Sequence, residues 1–389
     1  MREYVIITDN NSDLPEEYME EHGIGCMYLS YAMDGKNYKH GSFLPVHEFY
    51  DAMRNGSMPT TSQVNPQDAR AVFEPYLKEG KDILHIAFSS ALSGTYNSSR
   101  IAAEELMEDY PDRKIIVVDS LGASLGQGLL VYLAQEKKEQ GEDMETVAKW
   151  AEENRLHMVH LFTVNDLNHL YRGGRISRTT AVVGSMLNIK PVLHVDNDGK
   201  LTAIGKVRGR KKSLQELVKL MDEKIGSYHD TCHTIFISHG DCEEDANYVA
   251  EKVKEKYQIN TIIMNQVGAT IGAHSGPGPM DFIPRYIEGK NHQESIHYEC
   301  EQMEEILEPT YGCIVYQEQV MQIVMKLAGY TLGRSDLVRR AMSKKKGDVM
   351  IKERQNFVYG NEEEGIPGCI NNGIDEKTAN QIWDEMLDF

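Results

Sequence analysis

Apolar residues in the first part of the chain fall into short continuous runs, and most runs are followed by a segment of helical periodicity. Runs at residues 4–8, 25–33, 82–88 and 114–119 read as strands. Segments at 15–21, 45–55, 66–79, 94–110 and 124–140 read as helices. The run Ile115-Ile116-Val117-Val118 shows no polar alternation, so both of its faces are expected to be covered. Such strands alternating with helices predict an α/β fold, with a doubly wound parallel sheet over 1–143. A second α/β domain is expected over 144–278. It comprises strand 157–164, a hairpin of 191–195 and 201–207 across Asn197-Asp198-Gly199, helix 212–226, strand 234–238, helix 243–257 and strand 261–267. Beyond it the pattern turns helical, most regularly over 317–328, and a mainly helical appendage is expected over 279–389.

Charge narrows the function classes. The chain has 389 residues and a formal net charge of −19. An acidic surface disfavours general binding to nucleic acid or to anionic membranes. The first residues form a strand pattern and not a cleavable signal, and no apolar stretch approaches the roughly 20 residues of a membrane span. A cytoplasmic location is therefore expected. The 6 cysteines are scattered without a Cys-x-x-Cys pair, which predicts reduced thiols and no zinc site.

Two hydroxyl-rich segments carry the candidate chemistry. Thr60-Thr61-Ser62-Gln63 precedes a helix, and Ser89-Ser90-Ala91-Leu92-Ser93-Gly94-Thr95-Tyr96 joins a strand to one. A strand–loop–helix junction aims unpaired backbone N–H groups and hydroxyls at one point, which suits a carboxylate or phosphate. The competing reading is that Ser93 merely caps its helix. Asp9, the 89–93 loop and Asp119-Ser120 all fall at the carboxyl ends of predicted strands, where a parallel sheet places its ligand crevice. The run Asp196-Asn197-Asp198-Gly199 hints at calcium but lacks a downstream bidentate glutamate, so turn chemistry is expected there.

In order and spacing, several segments resemble the DegV family of bacterial fatty acid-binding proteins. They are Ile7-Thr8-Asp9 with Ser12-Asp13-Leu14-Pro15, the two hydroxyl-rich segments, Val118-Asp119-Ser120, Arg172-Gly173-Gly174-Arg175-Ile176-Ser177, Lys190-Pro191, His239-Gly240-Asp241 and His274-Ser275-Gly276-Pro277-Gly278. The resemblance spans residues 1–278. It implies a two-domain architecture enclosing one long-chain fatty acid, whose carboxylate is held by Thr61 and Ser93. Ser62, Arg172 and His274 would complete the polar shell. It also implies a fatty acid kinase as partner, making an acyl phosphate, with Arg172 and Arg175 meeting the kinase or the new phosphate. No metal or cofactor is implied. The chain departs from the family pattern at Asn10, Asn11 and Val64-Asn65. Beyond Gly278 the family continues into a short apolar closing strand. Here Pro279-Met280-Asp281-Phe282-Ile283-Pro284 intervenes, so that strand is expected to be lost.

The remainder has a resemblance of its own. Gly276 to Arg285, Pro309-Thr310-Tyr311-Gly312, Val315-Tyr316-Gln317-Glu318-Gln319-Val320 and Asp336-Leu337-Val338-Arg339-Arg340 are similar to the fingers region of the bacterial DNA polymerase III α subunit. Polymerisation needs carboxylates holding two metal ions, and nothing in the chain matches the palm that carries them. Both families share Gly-Pro-Gly at the junction, so the sequence reads as a chimera joined near 276–278. Its tail is expected to be non-functional and to pack poorly without its parent core. The basic residues Arg339, Arg340 and Lys344-Lys345-Lys346 are offset by Glu362-Glu363-Glu364. The leading reading is a lipid carrier and not an enzyme, because Ser93 lacks the Gly-x-Ser-x-Gly elbow. An acyl hydrolase or transferase using Ser93 with His274 as base stays open and requires the pair within hydrogen-bond reach. A DNA-associated protein acting through the tail stays open as well.

Overall fold

The computed structural model describes residues 2–165, 167–177, 189–225, 232–284, 300–307, 314, 317–343 and 347–388. The chain divides into two compact units, 1–287 and 288–389. The strands of the larger unit are β1 (Tyr4–Asp9), β2 (Gly25–Met27), β3 (Ser30–Met33), β4 (Lys36–Tyr38), β5 (Thr60–Ser62), β6 (Asp82–Ala87) and β7 (Ile115–Asp119). They continue with β8 (Leu161–Thr163), β9 (Ile189–Val195), β10 (Leu201–Arg208), β11 (Thr234–His239), β12 (Thr261–Gln266) and β13 (Met280–Pro284).

A four-stranded sheet, in the order β2-β1-β6-β7, is parallel throughout. Strands β1 and β6 are buried along their whole length, as their mainly apolar sequences without polar alternation lead one to expect. Alternate residues serve opposite faces: Ile6, Leu84 and Ile86 pack with Leu129 and Trp150, whereas Val5, Ile7 and Ile83 pack with Phe73 and Leu106. A six-stranded mixed sheet follows the order β10-β9-β8-β13-β11-β12. A small antiparallel sheet has the order β4-β3-β5.

Several expectations are corrected. Met280–Pro284 is itself an interior strand: β13 pairs with β8 on one side and with β11 on the other. The closing strand is therefore present, with Met280 and Ile283 fully buried. Pro279 and Pro284 mask it in the sequence, yet prolines at strand ends break no interior ladder bond. The run 25–33 is two strands in different sheets. Asn10 separates them, its side chain accepting from the Leu29 N–H (2.8 Å) and donating to the Leu29 carbonyl (3.3 Å) beyond the end of β1. Thr60–Ser62 is not loop but edge strand, with Thr61 opposite Tyr31. The run 157–164 shortens to β8, preceded by a tight turn at Arg155–His157.

The smaller unit is helical over Glu301–Leu307, Gln317–Ala328, Leu332–Ser343, Gly347–Tyr359 and Glu376–Asp388. It does not pack poorly. Ile323, Val324, Leu327, Phe357, Ile382 and Trp383 are fully buried in a core of its own. Asp336 binds both Arg339 (2.6 Å) and Arg340 (2.7 Å), which lowers the net basic charge of that helix end. Arg285, Pro309-Thr310-Tyr311-Gly312, Val315-Tyr316 and Lys344-Lys345-Lys346 lie outside the described residues. No helix among the described residues is long and apolar enough to cross a membrane.

Candidate functional site

The carboxyl edge of the parallel sheet is organised by buried carboxylates. Asp9 closes β1, and its Oδ2 accepts from the Phe88 N–H (2.8 Å) and from Gln127 Nε2 (3.2 Å). Its Oδ1 accepts from the Asn11 N–H at 3.1 Å. Burial raises the Asp9 pKa to about 6, against the pull of these three hydrogen bonds. Asp119, ending β7, accepts from the N–H groups of Ser90 and Leu121, each at 3.1 Å. Both aspartates thus fix the 88–93 loop.

Ser93 lies just before the helix Thr95–Asp109, whose N-cap is Gly94. Its Oγ accepts from the Thr95 N–H at 3.3 Å and lies 3.0 Å from Thr95 Oγ1. The serine therefore supports the helix start while also lining a cavity. The bare backbone of Gly94 makes room for the Gln63 amide, since a Cβ there would sit 2.3 Å from Gln63 Oε1. Thr61 presents its Oγ1 2.8 Å from His274 Nε2. His274 belongs to the helix Ala269–Ser275, and its ring rests on bare backbone: a Cβ on Gly173 would be 2.1 Å from Nδ1. Burial, then the charges of Arg175 and Arg172, push the His274 pKa down to about 4, so the imidazole is neutral near pH 7.

The two arginines part company at a helix end. The helix Asn168–Arg172 stops with the Arg175 N–H bonded to the Leu170 carbonyl and the Gly174 N–H to the Tyr171 carbonyl. That pattern, with Gly174 at φ 73°, is the glycine-closed helix terminus that a Gly-Gly pair favours. The turn points Arg175 inward, where its Nε donates to the Leu92 carbonyl at 3.2 Å. Burial lowers the Arg175 pKa from its ordinary value. Arg172 stays exposed on the helix and reaches the Ala273 carbonyl at 3.4 Å.

A cavity of about 420 Å³ brings together Thr61, Ser62, Ser93, His274 and Arg175. Arg172 is not among its lining residues. Phe88, Leu92, Phe162 and Leu170 form part of its apolar wall. Ser89 Oγ donates to the Gly199 carbonyl at 2.9 Å, tying the hydroxyl-rich loop to the β9–β10 hairpin. In that hairpin Asp196 accepts from the N–H groups of Asp198 (3.0 Å) and Lys200 (2.9 Å), which is turn chemistry. The described residues hold a further His47, Asp51 and Asp241 cluster, but Arg54 already pairs with both of its carboxylates.

Sequence reading missed His160 and Asp281 in the cavity wall and gave Gln63 no role beyond its place in the hydroxyl-rich segment. Gly94 beside Gln63, and Gly122 and Gly126 beside His160, were the available signals, since each bare backbone admits one of those side chains. Asp281 carried none, because its strand was not recognised. Among the described residues, His274 Nε2 bonds Thr61 and Ser93 Oγ bonds Thr95, so the nucleophile–base pair a hydrolase requires is not formed.

Residues 3–282 match the DegV family of uncharacterised proteins, and residues 269–365 match the finger domain of the bacterial DNA polymerase III alpha subunit. A DegV domain-containing protein of Clostridium perfringens is 46% identical over 282 residues, covering 72% of this chain and 96% of its own. A DegV family protein of Thermus thermophilus, solved for its fatty acid binding, is 32% identical with a TM-score of 0.66, covering 74% of this chain and 100% of its own. A stearic acid-binding protein of Eubacterium ventriosum is 25% identical with a TM-score of 0.68, covering 73% of this chain and 98% of its own.

Proposed function

Because the chain belongs to the DegV family over residues 3–282, we propose that it is a cytoplasmic carrier of one long-chain fatty acid. The convergence of Thr61, Ser93, His274 and Arg175 on one apolar-walled cavity is the observation that carries this reading. A carboxylate leaving water needs several donors and a countercharge. Thr61 and Ser93 supply hydroxyl donors, and Arg175 supplies the charge. Neutral His274, donating from Nε2 to Thr61 Oγ1, leaves the threonine proton for the ligand. The acyl chain lies along Phe88, Leu92, Phe162 and Leu170. Each buried methylene contributes about 0.8 kcal/mol.

The bound acid is presented to a fatty acid kinase that makes the acyl phosphate, and exposed Arg172 meets the kinase or that phosphate. No DNA-directed role is assigned to the 288–389 unit. Native mass spectrometry of the purified chain tests the carrier reading. One co-purifying long-chain fatty acid is expected, lost in a folded Thr61→Ala/Ser93→Ala variant. An empty wild-type protein, or a double variant that keeps its ligand, rejects it. With a fatty acid kinase and ATP, Arg172→Ala is expected to slow acyl phosphate formation while the bound acid stays in place. An unchanged rate removes Arg172 from that role.

A further inference from the structure

We propose that a second cavity in the larger unit takes a polyamine, a chain of methylenes bearing spaced ammonium groups. This goes beyond the carrier reading and does not depend on it. The cavity is about 510 Å³ and lies at the carboxyl ends of β1, β2 and β12, where an α/β sheet places ligands. Its lining holds Asp13, Glu16 and Glu17 and, among the described residues, no lysine, arginine or histidine. Thr270, bonded to Asn11, lines this cavity and the first, so the two share a wall.

Asp13 is 6% exposed and has no countercharge. It accepts only from uncharged donors, the Gly268 N–H at 2.9 Å and the Ser124 hydroxyl. Burial raises its pKa to about 7 against the pull of these bonds. A desolvated carboxylate of this kind is stabilised by an adjacent cation. Glu16 and Glu17 are exposed and unpaired with any cation among the described residues, so the carboxyl groups run from the interior of the cavity to its rim. The rest of the wall includes Leu14, Val46, Tyr28 and Phe43, with the last two ring centroids 6.3 Å apart. His40 stacks on Tyr28 at 3.7 Å without lining the cavity. Methylene spacers pack against the apolar side chains, while ammonium groups meet carboxylates and ring faces. A hard metal ion takes oxygen ligands and leaves the apolar wall unused.

Calorimetric titration of the full chain with spermidine, at about physiological ionic strength, is expected to show saturable binding of one molecule. Glu16→Gln/Glu17→Gln is expected to weaken it about tenfold or more, and Tyr28→Leu several-fold, with the cooperative melt retained. Glu105→Gln/Glu108→Gln removes the same charge from exposed positions on another helix and is expected to leave binding unchanged. N-acetyl-lysine amide, with a single ammonium group, is expected to bind about tenfold or more weakly than spermidine. Uptake without saturation, equal losses in the two double variants, or equal competition by Mg²⁺ at matched ionic strength would reveal only general attraction to an acidic chain and overturn the inference. Equal affinity for the lysine derivative would overturn it too.

Discussion

Close contact between His274 and Gly173 makes the glycine a sensitive reporter of the site. Adding one methyl group in Gly173→Ala would force the ring away from Thr61. We expect fatty acid affinity to fall about tenfold and stability by about 1–3 kcal/mol, the range for overpacking. Displacement of a fluorescent fatty acid and thermal melts measure the two, and unchanged affinity would show that the imidazole does not position Thr61. Asp13 tests the buried seam. It accepts from the Gly268 N–H at 2.9 Å and from Ser124, and burial raises its pKa from 3.8 to about 7. A raised carboxylate pKa means the folded state holds the proton more tightly than the unfolded state. Its stabilisation is present at low pH and lost as pH rises through about 7. His85, His160 and His274 work in the opposite direction, since pKa values lowered from 6.5 to about 4 cost stability as pH falls through that window. Melts of Asp13→Asn and wild type isolate the first effect: the wild type should lose ground to the variant as pH rises from about 4 to about 7, with no further change above that. A pH-independent difference would place the Asp13 proton elsewhere. The hydroxyls were legible because a strand–loop–helix junction restricts where they point. Which arginine faces inward was not, because the backbone turn at Gly174 decides it.

Among the elements, β13 has the largest consequence for its size. It fills the space between β8 and β11, and ending the chain at Gly278 leaves facing edges of both without partners. Buried backbone groups without partners are costly, so a 1–278 chain should lose its cooperative melt and its ligand. A 1–287 chain, which keeps β13, should retain both. Equal behaviour of the two truncated chains, followed by circular dichroism and ligand release, would show the strand to be dispensable. Parallel strands β1 and β6 were readable because full burial on both faces leaves a mainly apolar run without polar alternation. The break between β2 and β3 was not readable, since the apolar pattern runs on and a side chain from elsewhere, Asn10, ends the pairing. Nor was β5, whose Thr-Thr-Ser composition suits an edge as well as a loop.

At the scale of the whole molecule, the chain's 2 tryptophans fall into separate cores, Trp150 in the 1–287 unit and Trp383 in the 288–389 unit. Trp150→Phe leaves fluorescence to report on the smaller unit and Trp383→Phe on the larger. We expect the two variants to unfold at different denaturant midpoints, and coincident curves would indicate one cooperative block. Trp383→Ala should cost the smaller unit about 3–5 kcal/mol while ligand binding by the larger one persists. Local sequence determined the alternation of strands and helices, the hydroxyl-bearing junctions and the helical character of the C-terminal part, because periodicity and turn chemistry act over a few neighbouring residues. Tertiary structure alone decided that 280–284 is an interior strand, that the C-terminal part has a core, and that Asp281 meets His160. Each of these depends on partners far away along the chain, and a residue's own neighbours carry no record of them.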